Sequence, residues 1–542
     1  MHPQPSPRRR ARLLAVAALL GAVALAGSAH ALLTGAGGSS GPRAEARLGV
    51  RADRAAREEH RCDRAPLSAP RELRGMWITT VNNIDWPSRP GLPAEEIKAE
   101  YRGWLDLAQQ RNHNAVFVHV RPSGDALWPS KYAPWSEWLT GQRGKDPGFD
   151  VLGWIVAETH ARNLEFHAWF NPYRGSQPSA NGGAGADIAQ LAPDHPLRQH
   201  PDWAVVYPAN AIGSRLHFNP GIPEARKFVE DSMLEAVQRY DIDGVHFDDF
   251  FYPYPAAKQD FPDDAAFAQY GTGFTNKADW RRDNVNTLVR EMSERIKAAK
   301  PWVKFGISPF GIWRNDRTDP AGSPTRGLQA FDDVYADTRL WVREQWLDYI
   351  VPQLYWHVGF DLADYAKLLP WWSEQVKDTR VQLYIGQADY RVGQAGAWSD
   401  PAELERQLAL NHRYAVAGSV HFSAKSVRDD NLGSVSRYAA AHYPGPALIP
   451  VMAQLPEKAI AAPVLKSARR TSTGSVRLTW RGSATAYAVY RVDGSTAKLV
   501  ATKRASGSGD QTWVDAHGGG AYCVTALDRS WNEGAPSAPA RS

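Results

Sequence analysis

Cysteine is nearly missing from this chain, with Cys62 and Cys523 the only two in 542 residues. That count excludes a disulfide-built scaffold and leaves no cysteine spacing of the kind that holds zinc. One bridge is chemically open to an exported chain. The two cysteines sit near opposite ends of the sequence, however, and a disulfide needs close, well-aimed partners, so they are expected to stay unpaired. Long apolar runs are equally scarce. The one from Leu13 to Ala26 follows a basic cluster (Arg8, Arg9, Arg10, Arg12) and precedes Ser28-Ala-His-Ala31. That order reads as a signal peptide over 1–31, cleaved after Ala31. The run is short for a full span, no cysteine follows it to carry a lipid, and no other stretch reads as transmembrane. Basic excess is also lacking in the folded part. Much of the net charge of +5 comes from N-terminal arginines, so nucleic-acid binding is not indicated. No glycine-rich phosphate fingerprint occurs, which argues against a doubly wound dinucleotide-binding sheet.

Aromatic residues are abundant, with 21 Trp and 20 Tyr. Flat, amphipathic rings suit sugar ligands, although any single one more often fills a core. Residues 32–70 are rich in Ala, Arg, Gly and Ser and read as a flexible linker. From there to residue 443, short β-rich runs alternate with amphipathic helical stretches. The strand candidates are 76–81, 115–121, 165–171, 244–248, 304–308, 349–355, 382–386 and 419–423. Helical patterns occupy 94–111, 151–163, 224–240, 282–299, 335–347, 362–376, 401–416 and 433–442. Eight strand–helix pairs predict an α/β fold, a (β/α)8 barrel over 71–443. Its long loops (122–150, 172–223, 250–279 and 309–333) all leave one face, predicting a deep aromatic groove. A Pro/Ala-rich linker over 444–462 leads to 463–542, where alternating runs such as Val476-Arg-Leu-Thr-Trp480 predict a small all-β sandwich. The Trp480 position, Tyr487–Arg491 and Tyr522–Asp528 resemble a fibronectin type III module, expected to be independent of the barrel and without catalysis.

The most informative stretch is Asp243-Gly-Val-His-Phe-Asp-Asp-Phe-Phe-Tyr-Pro253. A β-branched and aromatic run ends in two adjacent carboxylates, Asp248 and Asp249. Asp is a poor strand residue, and the C-terminal ends of barrel strands are where chemistry sits. The alternative is a strand-end turn or a helix cap. Glycoside hydrolysis uses two carboxyl groups roughly 5–9.5 Å apart. Asp248 is the first candidate. Asp249 should point the other way unless the chain turns. Asp125 and Glu137 in the loop after strand two come next, then Asp337, each with a turn, helix-start or surface alternative. Strands five and six carry no terminal Glu or Asp, so the acid stays unassigned.

Strand parity puts His246 inward with Asp248, and predicts inward sets His119 and Arg121, then His167, Trp169 and Asn171, then His421, Ser423 and Lys425. These histidines could form a polar platform under the carboxylates, be independent core residues, or be metal ligands. No His-x-His pair supports the last, and no metal or cofactor is assigned. Sugar contacts are expected from Trp77, Trp169, Tyr173, Tyr252, Trp313, Tyr355 and Trp356. Polar forks would come from Arg121, Asn171, Arg174, Asn315 and Gln353, the two arginines suiting a carboxylate such as that of muramic acid.

Several motifs in order carry a resemblance: Arg74-Gly-Met-Trp-Ile, Asn83-Ile-Asp-Trp-Pro87, Ala126-Leu-Trp-Pro-Ser-Lys131, His167-Ala-Trp-Phe-Asn-Pro-Tyr-Arg174, Asp243-Gly-Val-His-Phe-Asp-Asp249 and Pro352-Gln-Leu-Tyr-Trp356. Over about residues 72–442 the chain resembles glycosyl-hydrolase-like family 10. The resemblance implies an exported bacterial (β/α)8 hydrolase acting on peptidoglycan glycan strands, secreted or wall-associated. Asp-Gly-x-x-x-Asp is also similar to strand four of the α-amylase-like clan, which implies Asp248 as nucleophile; the Glu that clan carries after strand five is absent. Two other functions compete: a non-catalytic glycan-binding protein, and a metal-dependent polysaccharide deacetylase. The expected partner is a polysaccharide, with no nucleic acid and no membrane span in the mature chain. The oligomeric state is not indicated.

Overall fold

The computed structural model describes residues 66–178, 185–209, 213–256, 259–414, 416–507 and 509–542. The signal peptide and most of the first linker lie outside the described residues. Eight parallel strands close a barrel: β1 (Leu73–Ile78), β2 (Ala115–Arg121), β3 (Glu165–Phe170), β4 (Gly244–Phe247), β5 (Lys304–Ile307), β6 (Tyr349–Ile350), β7 (Gln382–Gln387) and β8 (Gly418–His421). They run round the barrel in chain order, β8 pairing with β1. Almost every strand residue is buried, as expected where helices cover one face and the barrel interior the other. The helices are α1 (Ala94–Gln110), α2 (Val151–Ala161), α3 (Pro223–Arg239), α4 (Lys277–Ala299), α5 (Thr338–Arg343), α6 (Tyr365–Val376), α7 (Glu403–Arg413) and α8 (Ser434–His442). In α1 the buried face is Ile97, Tyr101, Trp104, Leu105 and Ala108, the stripe of an amphipathic helix. Among the described residues no helix is long and apolar enough to cross a membrane.

Large rings fill the barrel interior, among them Trp77, Phe117, Trp169, Tyr349 and Tyr384. Two glycines make room for them. A Cβ on Gly306 would stand 2.1 Å from the Tyr349 ring, and one on Gly244 would stand 2.4 Å from His167 Nδ1. That space admits a buried polar chain. The Trp77 indole, which can only donate, gives its N–H to His246 Nε2 at 3.2 Å. The neutral His246 therefore carries its proton on Nδ1, facing the Tyr349 hydroxyl at 3.3 Å. Tyr349 in turn donates to His167 Nδ1 at 2.9 Å, and His167 Nε2–H donates to Glu165 at 3.0 Å.

Strand eight departs from the expected parity. Val420 belongs to the interior cluster, so His421 points outward, where it meets Asp389 at 2.9 Å and stacks on Tyr438. Strand eight begins one residue earlier than expected, at Gly418, and the apolar Val420 takes the inward place. The inward histidines are thus three, and they lie at different depths along the barrel instead of in one layer.

The C-terminal region is a sandwich of two antiparallel sheets. Strands β9 (Val464–Arg470), β10 (Val476–Arg481) and β13 (Gln511–Asp515) form one. Strands β11 (Ala486–Asp493), β12 (Thr496–Arg504), β14 (Ala521–Leu527) and β15 (Ala540–Arg541) form the other, with Leu67–Ser68 pairing in parallel on β12. Burial alternates along β10, the half-buried pattern its sequence shows. This module closes the floor of the barrel. Trp531 donates its indole N–H to Glu165 at 2.7 Å, and Arg529 reaches Asp243 at 3.1 Å. The stretch after α8 packs as well, with Leu448, Ile449, Met452 and Leu455 buried. Cys523 is buried and disulfide-bonded, against the expectation of a free thiol; Cys62 lies outside the described residues. The parallel pairing of Leu67–Ser68 with β12 brings N-terminal chain onto the C-terminal module, a proximity that separation in sequence conceals.

Candidate active site at the mouth of the barrel

The fourth strand stops at Phe247 and the chain turns. Asp248 and Asp249 therefore both face one cavity of about 260 Å3 at the C-terminal ends of the strands. Trp169 Nε1 donates to Asp248 at 3.1 Å, Asn171 Nδ2 donates at 3.1 and 3.3 Å, and the Phe250 N–H donates at 3.2 Å. Asp249 accepts from the Tyr254 hydroxyl and from Gln353 Nε2, the latter at 3.1 Å. The two carboxylates lean apart, one towards β3 and the other towards the end of β6. Burial pushes Asp248 up, the Arg174 guanidinium pulls against it, and the Asp249 charge adds to the rise, leaving it at about 6. Burial likewise raises Asp249, against its two hydrogen bonds. Two interacting carboxyls in one dry site titrate as a pair, and such a pair favours one proton shared between them.

Trp77, Trp169, Arg174, Gln353 and Tyr355 line the same cavity. His119 lines it too, its ring stacked on Trp169 at 3.9 Å and both ring nitrogens without a partner. Burial first, then Arg174 and His246, holds its pKa well below the ordinary value. His119 is therefore a neutral donor–acceptor aimed at whatever enters. Asn171 and His246 stand in support, Asn171 gripping Asp248 and the Arg174 N–H, and His246 bonding Ser308 at 3.0 Å.

Other expected residues lie elsewhere. Asp125 and Glu137 face a separate crevice of only about 20 Å3, with Arg143 and His195. Burial raises Glu137 to about 7, opposed by Arg143 and assisted by Asp125. This crevice is too small for a sugar ring. Asp337 caps α5 and accepts from Trp313. Trp313 stacks on Trp371 at 6.3 Å, and Asn315 ties down Gly327. Tyr173 and Tyr252 are wholly buried, and Trp356 packs edge-on against Phe310. Arg121 is fully buried, its Nη1 spent on the Asn171 and Pro172 carbonyls. His167 belongs to the floor. None of these lines the cavity.

The cavity also has walls that sequence reading missed. Val81, Asn82 and Ile84 come from the short loop after β1, and Phe422 from the end of β8. Gln177 and Arg215 come from the loop after β3, Arg215 on a hairpin of strands Ala204–Tyr207 and Arg215–Phe218. The short β-branched run 204–207 and the alternating run 215–218 were the available signal for that hairpin. A larger cleft of about 450 Å3 lies at the junction with the module. Its arginine, Arg529, is already committed to Asp241 and Asp243. Among the described residues no three His, Cys, Asp or Glu side chains converge as a metal cage.

Comparison with known proteins adds a family. The sequence model described as "Glycosyl hydrolase-like 10" matches residues 72–402. The glycosyl hydrolase YngK of Bacillus subtilis (strain 168) is 47% identical over 486 residues, covering 86% of this chain and 93% of that protein. The glycosyl hydrolase DigH of Escherichia coli (strain K12) is 40% identical over 389 residues, covering 68% of this chain and 86% of that protein. Among solved structures, an endo-β-1,4-mannanase from Thermotoga petrophila superposes with a TM-score of 0.40 at 9% identity, covering 87% of this chain and 98% of that one.

Proposed function

The chain belongs to the glycosyl hydrolase-like 10 family, and from that premise we propose that it is an exported glycoside hydrolase. Its substrate in this reading is a cell-wall polysaccharide, the glycan strands of peptidoglycan, cut by carboxylate acid/base catalysis. One observation carries the reading: Asp248 and Asp249, buried and met only by neutral hydrogen-bond donors, face an aromatic cavity at the catalytic end of a barrel. Buried carboxylates without a cation in contact are costly, and raised carboxyl pKa values are what a general acid needs near neutral pH. Trp77, Trp169 and Tyr355 offer ring surfaces to a sugar. Arg174 and Arg215 line the rim together, where the lactyl carboxylates of muramic acid would meet them; Arg121, enclosed among backbone carbonyls, has no part in this.

The test is release of reducing ends from purified, peptide-free peptidoglycan strands and from a neutral polysaccharide. The expected result is turnover of the former that Asp248→Asn abolishes. Binding of the strands with no release under any condition would leave a glycan-binding protein in its place. Release of acetate instead of reducing ends would make it a deacetylase.

A further inference from the structure

A hydrolase with two protein carboxylates sets them on either side of the scissile bond, roughly 5–9.5 Å apart. Among the described residues, the only carboxylates lining the cavity are consecutive residues at one strand end. No other described carboxylate faces them. Asp125 and Glu137 open into the neighbouring crevice. Asp85 is spent on the Thr79 N–H, the Ser423 hydroxyl and the Lys425 N–H. Asp337 caps α5 and Asp389 holds His421. The short internal stretches outside the described residues, within 179–184, 210–212 and 257–258, contain no Asp or Glu.

Two adjacent carboxyls on one side of a sugar can serve two adjacent substituents: the glycosidic oxygen on C1 and a nitrogen on C2. Resting on the hydrolase reading above, we infer that the sugar whose bond is cut carries a 2-acetamido group, and that the carbonyl oxygen of this group is the nucleophile. Asp248 holds the acetamido N–H and Asp249 protonates the leaving oxygen. Donors reach both oxygens of Asp248 from Trp169, Asn171 and the backbone of Phe250, and Arg174 faces it. That setting keeps Asp248 an acceptor, as an N–H partner must be. Asp249 has fewer donors, Tyr254 and Gln353, while burial opposes the ionisation of both carboxyls. The acetyl methyl finds apolar ring surface on Trp77, Trp169 and Phe422. The N–H groups of both indoles are already committed, to His246 and Asp248, so those rings offer their carbon surface.

The bonds balance. In the first step the acetamido oxygen forms a bond to C1 as the C1–glycosidic oxygen bond breaks. The leaving oxygen takes the proton of Asp249, and the positive charge of the new five-membered ring rests on the nitrogen whose N–H faces Asp248. In the second step water attacks C1 and gives a proton to Asp249. The C1–acetyl oxygen bond opens, the amide is restored, and the anomeric configuration is retained. No oxidant, metal or covalent bond to the protein is required.

The experiment uses the full chain and peptide-free glycan strands that have been de-N-acetylated and then re-acylated with acetyl, fluoroacetyl or trifluoroacetyl groups. Fluorine withdraws electrons from the attacking carbonyl. The expected result is reducing-end release that falls steadily along the series, with no release from strands left unacylated. Equal rates across the series, or a 2-deoxy-2-fluoro glycoside that traps a covalent sugar on Asp248, would overturn the inference and leave the hydrolase reading standing. No release from any strand would overturn both.

Discussion

At the floor of the barrel Glu165 meets Lys304 at 2.6 and 2.8 Å, the Trp531 indole at 2.7 Å and His167 at 3.0 Å. Beside it Asp243 meets His160 at 2.7 Å and Arg529 at 3.1 Å. At the mouth, Asp248 and Asp249 meet indole, amide, hydroxyl and backbone donors, with no cation in contact. Both ends bury two carboxylates at the ends of strands of the same barrel. Against the upward push of burial, His160 and Arg529 hold Asp243 well below the ordinary range, and Lys304 and His167 lower Glu165. At the mouth burial wins. Paired charge at one end makes a joint between barrel and module; at the other, two carboxyls without a cation in contact are held above their ordinary range.

The largest expected effect follows from removing the unpaired charge. Asp248→Asn should lower kcat/KM by on the order of 10³-fold or more, with a thermal midpoint unchanged or higher, because a neutral isostere replaces a buried anion that has no cation in contact. Asp249→Asn should spare aryl glycosides, whose leaving group needs no proton, far more than natural strands. A fall in Tm for Asp248→Asn with activity kept within a few-fold would erase the distinction between the two ends.

The converse change belongs to the floor. Trp531→Ala should cost about 3–5 kcal/mol of stability, and Glu165→Gln a comparable amount by leaving Lys304 buried without its partner. Both should leave kcat/KM near its parent value well below Tm. A chain ended near Pro444 should lose cooperative unfolding, since the module supplies Trp531 and Arg529 to the floor. Denaturant titration read beside activity separates these outcomes. Loss of activity without loss of stability would mean that the floor acts on chemistry.

The sequence shows the barrel because its eight strands are buried on both faces, and runs such as Ala115–Arg121 have little other use. It shows Asp248 because a carboxylate ending such a run conflicts with its surroundings. It does not show which ring near a strand end faces the cavity. Trp77 and Trp169 do, whereas Trp313 and Tyr252 pack into loops and core, and nothing in their sequence neighbourhoods separates the cases. Arg121 and Arg174 are both basic and both near strand ends, yet only the second lines the cavity. Arg215 was overlooked because its hairpin lies inside a long polar loop. The join between module and barrel was hidden for another reason: Trp531 and Glu165 are far apart in the chain, and no local pattern records contacts of that range.

The comparison of ends also predicts opposite pH responses. Asp248 is raised in the folded state to about 6 from an ordinary 3.8. Between about pH 4 and 6 this group thus binds more proton in the folded state than in the unfolded one, and its contribution to stability falls as pH rises through that window. Asp243 is lowered in the folded state, so its contribution is present above the ordinary carboxylate range and is lost as pH falls. Asp248→Asn should reduce the loss of stability on going from pH 4 to 6, and Asp243→Asn should reduce the loss on acidification. Thermal midpoints measured from pH 3 to 8 for the two variants check both signs; the same sign for both would show that the ends are not electrostatically distinct.

The smallest effect concerns the rim of the mouth. Arg215 is half-buried, donates to Gln177 at 2.9 Å and lines the cavity with Arg174. Burial, and then the Arg174 charge, lowers its pKa, which is the setting of two like charges that an anion would relieve. If lactyl carboxylates dock there, Arg215→Ala should weaken use of muramic-containing strands by about 1 kcal/mol, roughly fivefold in KM, with kcat nearly unchanged. The effect should shrink as salt is raised, since a rim charge is screened over about 8–10 Å. Chito-oligosaccharides, which carry the acetamido group and lack the carboxylate, should be cut by Arg215→Ala and parent alike. Comparing the two substrates at low and high salt isolates the charge from the shape of the hairpin. An equal loss on both, insensitive to salt, would assign Arg215 to holding the hairpin in place and move recognition of the carboxylate to Arg174.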